Sequence, residues 1–174
     1  MDDRSLFVLV HSLLYVLVAP YAHRFEHIGS TAVPGLIAKP VIDVLVEVES
    51  DDIALTQVVP RLMKAGYFEC YWRFDSPPGH FQCVRRDTQT FKRLVHVHLV
   101  DPKHPMWRTV AFRDYLRAHP DALARYATLK KDLAAKFPDD REAYTFGKSE
   151  LVEELTKQAL SERSDTRTGP IFPG

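Results

Sequence analysis

Three polar side chains stand where an apolar run has no ordinary use for them. Asp43 interrupts residues 41–48 (VIDVLVEV), and His96 and His98 interrupt residues 94–100 (LVHVHLV). A carboxylate among valines and leucines is costly unless it is paired. Asp43 therefore needs a metal ion, a proton to take as a general base, or a structural partner such as Lys39, Arg24 or His27. His96 and His98 are two residues apart, so on a strand they point to the same side. Two imidazoles so placed can reach one divalent ion and, with one carboxylate, complete a 2-His-1-carboxylate set. The other reading is a hydrogen-bonded pair lying on a sheet. Upstream of Asp43, Gly29-Ser30-Thr31 is either an ordinary turn or a place where small residues let backbone N–H groups approach an anion.

These residues must be held by something. Residues 24–28 and 41–48 read as strands. In the second, positions 42, 44, 46 and 48 form one face and Asp43, Leu45 and Glu47 the other. Residues 67–74, 80–86 and 94–100 give three more strands, the first two joined as a hairpin through Ser76-Pro77-Pro78-Gly79. Residues 5–18 are apolar nearly all round, which predicts a helix packed into the core and ended by Pro20. A helix capped by Ser50 or Asp51 runs over 53–65, kinked at Pro60 and closed by Gly66. Helices over 106–118, 121–136 and 141–161 fill the end of the chain. In the first two of these, Trp107, Phe112, Tyr115, Leu116, Leu123, Tyr126, Leu129 and Leu133 recur at core spacing. Fold class is thus α+β: a mixed sheet of about five strands flanked by helices, with a helical C-terminal part. Residues 1–162 read as one domain and 163–174 as a loose tail.

Composition narrows the partners. With 23 basic and 23 acidic residues in 174, the formal charge is zero, so no electrostatic footprint for nucleic acid is expected. Residues 7–19 are too short for a membrane span, which takes ~20 residues. No membrane partner is expected. Cys70 and Cys83 suggest neither a disulfide framework nor a zinc spacing, and a reducing cytoplasm fits them best. Ser30 with His27 lacks an oxyanion-hole motif for nucleophilic catalysis. Oligomeric state is left open.

EHIGSTAVPG, KPVIDVLV, HVHLV and the stretch from Trp107 to Lys148 appear in the order seen in the GrpB family, which this chain resembles over residues 24–150. That family is placed in the nucleotidyltransferase superfamily, with a polymerase β-like core. In some members a similar domain is fused to dephospho-CoA kinase. The resemblance implies that Gly29 and Ser30 help hold phosphates, beside which the Thr31 hydroxyl is a further candidate, and that Asp43 is the first acid of a magnesium-binding pair. It departs at Leu45, where the second acid belongs. Glu47, four residues along a strand, lies ~13 Å from Asp43 and cannot share its ion. Lys39, at the mouth of the Asp43 strand, and Tyr144 with Lys148, four apart on a helix, are further candidates to contact phosphate. The expected ligand is a nucleotide or phosphorylated small molecule with a divalent ion: magnesium by the resemblance, zinc or nickel by the histidines. Nucleotidyl or phosphoryl transfer with an incomplete acidic motif is one expectation. A non-catalytic accessory module and a histidine-ligated metalloprotein are the others.

Overall fold

A computed structural model describes residues 2–66, 68–72 and 78–167. They fall into two compact units, Met1–Trp107 and Arg108–Gly174.

The first unit is built on one five-stranded sheet. β1 (Ala22–Ile28), β2 (Ile42–Val48), β3 (Glu69–Trp72), β4 (Phe81–Arg86) and β5 (Arg93–Val100) are ordered β1-β2-β5-β4-β3. Only the β2–β5 pair is parallel; the other three are antiparallel. The predicted alternation holds. Ile42, Val44, Val46 and Val48 share one face with Val95, Val97, Leu99, Phe81 and Cys83, and this face is the core. Asp43, Leu45 and Glu47 belong to the opposite face.

Two helical segments cover the core face. α1 (Asp3–Val18) is started by the Asp2 carboxylate, which accepts from the Ser5 N–H. It is not the all-round core helix its composition predicts. Its inward stripe is Val10, Leu14 and Val18, while Val8, Leu9 and Tyr15 are exposed and Val16 is 81% exposed. The helical run extends from Asp3 to Tyr21, 19 residues, so by length and composition it is long enough to cross a membrane, contrary to the expectation from residues 7–19. The second segment runs from α2 (Asp51–Ile53), capped by Ser50, to α3 (Val59–Lys64). Between them Ala54–Val58 is π-helical, and the Val59 N–H reaches back to the Ala54 carbonyl. Pro60 explains this. It has no N–H to continue the regular ladder, and the widened turn just before it absorbs the break. Ala54, Val58 and Leu62 carry this segment into the core.

Cys70 and Cys83 form a disulfide, which corrects the sequence reading. They are register partners on β3 and β4, with Cα atoms 4.0 Å apart. Their spacing of 13 residues in the chain carries no sign of this; strand pairing alone creates it. Closing a loop of this length is worth about 3 kcal/mol in the chain-entropy account. Reductant should therefore lower the urea midpoint of the protein. A thiol assay before reduction should find no reactive cysteine.

The second unit is α-helical: α4 (Arg108–Ala118), α5 (Pro120–Lys136), α6 (Arg141–Phe146) and α7 (Ser149–Arg167). The expected helix over 141–161 is divided at Gly147. A side chain there would meet Leu133 Cδ2 at 2.6 Å, so a larger residue would require the Leu133 side chain to shift. α7 continues to Arg167, past the start of the expected loose tail at 164. Ser76 and Pro77 of the expected turn, and residues 168–174, lie outside the described residues.

Candidate metal centre on the polar face of the sheet

β2 and β5 place Asp43 directly beside His96, and Leu45 beside His98. The two histidines and the acid therefore converge, as the sequence requires if the strands are neighbours. His96 Nδ1 lies 2.9 Å from Asp43 Oδ1, and His98 Nε2 lies 3.6 Å from the same oxygen. One donor atom from each of the three residues falls within 4.8 Å of the others. An ion with bonds of ~2.1 Å keeps its donors roughly 3 to 3.4 Å apart, so modest side-chain rotation would seat one. The structural partners considered for Asp43, Lys39 and Arg24, do not hold it.

The loop from β1 abuts the same carboxylate. Gly29 has φ +74° and ψ −171°, and a Cβ added there would lie 2.5 Å from Asp43 Oδ2. Gly29 is thus needed twice, for a backbone that side chains avoid and for the close approach of the acid. Ser30 and Thr31 open a 3-10 turn (Ser30–Ala32) immediately after it. The Thr31 hydroxyl donates to the Val41 carbonyl at 3.1 Å and accepts from His27 Nε2 at 3.0 Å. That buried hydroxyl pins the loop to the start of β2 and is not presented to a ligand. Lys39 is exposed on the approach to β2.

Electrostatics favour the ionised acid. Burial pushes the Asp43 carboxyl up, but hydrogen bonds and charge from His96 and His98 outweigh it and bring it down to about 2. A folded-state value below the usual 3.8 contributes stability above that value, and the contribution is lost as pH falls toward 2. In carboxyl NMR titrations of metal-free protein, Asp43 should titrate near 2. Replacing His96 with alanine should raise that midpoint.

His96 Nε2 is buried and has no hydrogen-bond partner among the described residues. A general base must present its lone pair to substrate. The Asp43–His96 pair points the wrong nitrogen into the interior for that role, so proton abstraction through His96 Nε2 is not what the geometry serves.

Sequence reasoning missed His80 and His104. His80 Nε2 lies 2.9 Å from His98 Nδ1, and the His104 ring stands 5.9 Å from that of His80. Their separation in the chain hides them. The only available signal was hairpin register, which sets Gln82 opposite His98 and so brings His80 alongside.

Tyr144 and Lys148 meet within the helical unit, with Lys148 Nζ 4.4 Å from the Tyr144 ring centroid. Burial and the neighbouring Lys148 charge lower the Lys130 ammonium to about 8. Burial and Arg141 lower Lys148 in turn. Burial raises the Tyr126 phenol, beside Lys130, to about 12. Leu45, where the resemblance led to the expectation of a second acid, is fully buried.

Comparison with known proteins agrees with this architecture. The family model described as GrpB protein matches residues 7–158. The UPF0157 protein YqkA of Bacillus subtilis is 38% identical over 150 residues, 84% of this chain and 41% of that protein. The chain thus spans about two-fifths of that relative's length. Glutamate-rich protein GrpB of Alkalihalophilus pseudofirmus is 33% identical, covering 89% of both chains. The crystal structure of conserved protein GrpB from Enterococcus faecalis superposes with a TM-score of 0.79 at 31% identity, covering 92% of this chain and 94% of that one. With the family motifs spread across both units and the fold matched nearly end to end, the chain belongs to the GrpB family.

Proposed function

We propose that the Gly29-Ser30 loop and the Asp43–His96–His98 cluster hold a divalent ion and, through it, the phosphates of a nucleotide or phosphorylated small molecule. One observation carries this reading: three metal-competent donors meet beside a glycine whose missing side chain leaves room for the carboxylate. Two imidazoles and one carboxylate suit zinc, nickel, manganese or iron better than magnesium, which prefers an all-oxygen octahedron. Two-metal transfer needs carboxylates that bridge both ions. Leu45 removes one of them, so the reading supported is metal-dependent binding, as in an accessory module, rather than nucleotidyl transfer.

Lys39 is offered as a phosphate contact on the unit that holds the cluster; Tyr144 and Lys148 are offered separately, as a phosphate-binding pair of the helical unit taken by itself. Lys130 reports on the second group. A bound phosphate would stabilise its ammonium form, so its titration midpoint should rise from about 8 when ATP is added. A cytoplasmic setting belongs to this reading, and the Cys70–Cys83 bond pulls against it, since thiols there are kept reduced. Trapping the thiols in cells before lysis decides that point.

Calorimetric titration tests the function. Untagged protein is titrated with zinc, manganese or magnesium, then with ATP, GTP, CTP and coenzyme A precursors. Phosphate ligands that bind only with metal, without product formation, are the expected result. Nucleotide binding that persists unchanged without metal and in Asp43→Asn would overturn it.

A further inference from the structure

We propose that the end of the sheet at which β2 and β5 begin docks on an anionic lipid surface, with the Phe91 ring inserted among the headgroups and the neighbouring basic side chains held over them. The inference does not depend on the metal reading above.

Phe91 is a costly residue where it stands. It lies in the β4–β5 turn at φ +56°, the one non-glycine residue with positive φ among the described residues. A bulky side chain is a rare occupant of that region, which glycine fills without strain. The turn holds it there. Its N–H donates to the Asp87 carbonyl at 2.9 Å, and its carbonyl accepts from Arg86 Nη1 at 3.4 Å. The Asp87 carboxylate accepts from the Thr90 N–H at 2.7 Å and ties the turn together. What this presents is a ring that is 73% exposed. Neither the strain nor the exposure serves the fold, and strain of this kind is a pointer to function.

A second apolar side chain stands at the same end. β2 and β5 are parallel neighbours with Ile42 paired to Val95, so the segments leading into the two strands emerge side by side. Phe91 is on one, and Ile37, 83% exposed, is on the other. Charge is sorted along the same axis. Lys39, Arg85, Arg86, Lys92 and Arg93 belong to this end, against Glu69 and Asp87. Where the strands finish, the chain continues through Glu49, Asp51 and Asp52 after β2 and through Asp101 after β5, against Lys103. The zero net charge is thus a sum over two ends of opposite sign, and a surface meets only one of them. This departs from the expectation of no membrane partner.

Lipid fits this end better than protein does. Lysine is depleted from protein interfaces, which need a contiguous patch of ~800 Å² on each partner. Here two separate loop tips are each followed within two residues by a lysine, Lys39 or Lys92. Apolar tips flanked by cations suit the headgroup layer, and each basic residue near an anionic leaflet strengthens binding about fivefold.

Co-sedimentation of the untagged full chain with vesicles tests this, using phosphatidylcholine alone and an equal mixture of phosphatidylcholine and phosphatidylglycerol. The wild type should sediment with the mixed vesicles, and far less with the neutral ones or at high salt. Phe91→Gly should melt no lower than the wild type and bind the mixed vesicles about tenfold more weakly. Lys92→Glu combined with Arg93→Glu should abolish the preference for anionic lipid. A wild type that ignores the mixed vesicles, or a folded Phe91→Gly that binds them as tightly as the wild type, overturns the proposal. A Phe91→Gly that melts well below the wild type does so too, because it gives the ring a use in the fold. Sedimentation without lipid that rises with protein concentration and is lost in Phe91→Gly makes the occupant a second copy and likewise overturns it.

Discussion

Gly29→Ala will unfold at a lower temperature than the wild type and bind divalent metal at least about tenfold more weakly. Two independent penalties act at this position. The backbone sits where only glycine is comfortable, and forcing a side chain there costs about 1–3 kcal/mol. For a chain of this size each kcal/mol lowers the melting temperature by roughly 2–4 °C. The added methyl would also fall 2.5 Å from Asp43 Oδ2, so the carboxylate must move. Its hydrogen bond to His96 is made by the other oxygen of the same group, and displacing one oxygen displaces both. A melting curve and a zinc titration on the same preparation separate the penalties. Gly35→Ala serves as control, because Gly35 also has positive φ but nothing lies within 4 Å of its added Cβ. It should lose stability and keep its metal affinity.

Asp43→Asn is expected to have the largest effect on binding: a loss of zinc affinity beyond about 100-fold, the upper range for losing even an outer-shell partner. The amide keeps the shape and loses the charge. It can still accept from His96 Nδ1, so the sheet should retain its register. The acid-dependent part of the stability should disappear as well. In the wild type, stability falls between pH 4 and 2 as the ionised acid is lost; in the variant this component is absent. Urea midpoints across that range measure it. A variant that bound zinc normally would place the ion elsewhere.

How much of this could be read from the residues differs from element to element. β2 was legible, because an acid at every second position but one against a row of valine and isoleucine fixes which face is buried. His96 and His98 were legible as a same-side pair for the same reason. Their meeting with Asp43 depended on β2 and β5 being neighbours, which alternation cannot tell. α1 was misread because a helix apolar on all sides does not declare which stripe turns inward; Val10, Leu14 and Val18 do so only once the sheet is beneath them. The disulfide and His80 share a cause. Each is a cross-strand relation, Cys70 with Cys83 and His80 with His98, and register is set by the whole hairpin. Thr31 had the right chemistry for a phosphate contact, but its hydroxyl holds the loop against Val41 instead.

The claim that Asp43, His96 and His98 hold an ion is tested most directly by crystals of untagged protein grown with one equivalent of zinc, with diffraction measured on both sides of the zinc absorption edge. One anomalous peak is expected, ~2.0–2.2 Å from an Asp43 oxygen and from a nitrogen of each histidine. A peak elsewhere, or none, with the 2.9 Å contact between His96 and Asp43 intact, would contradict it.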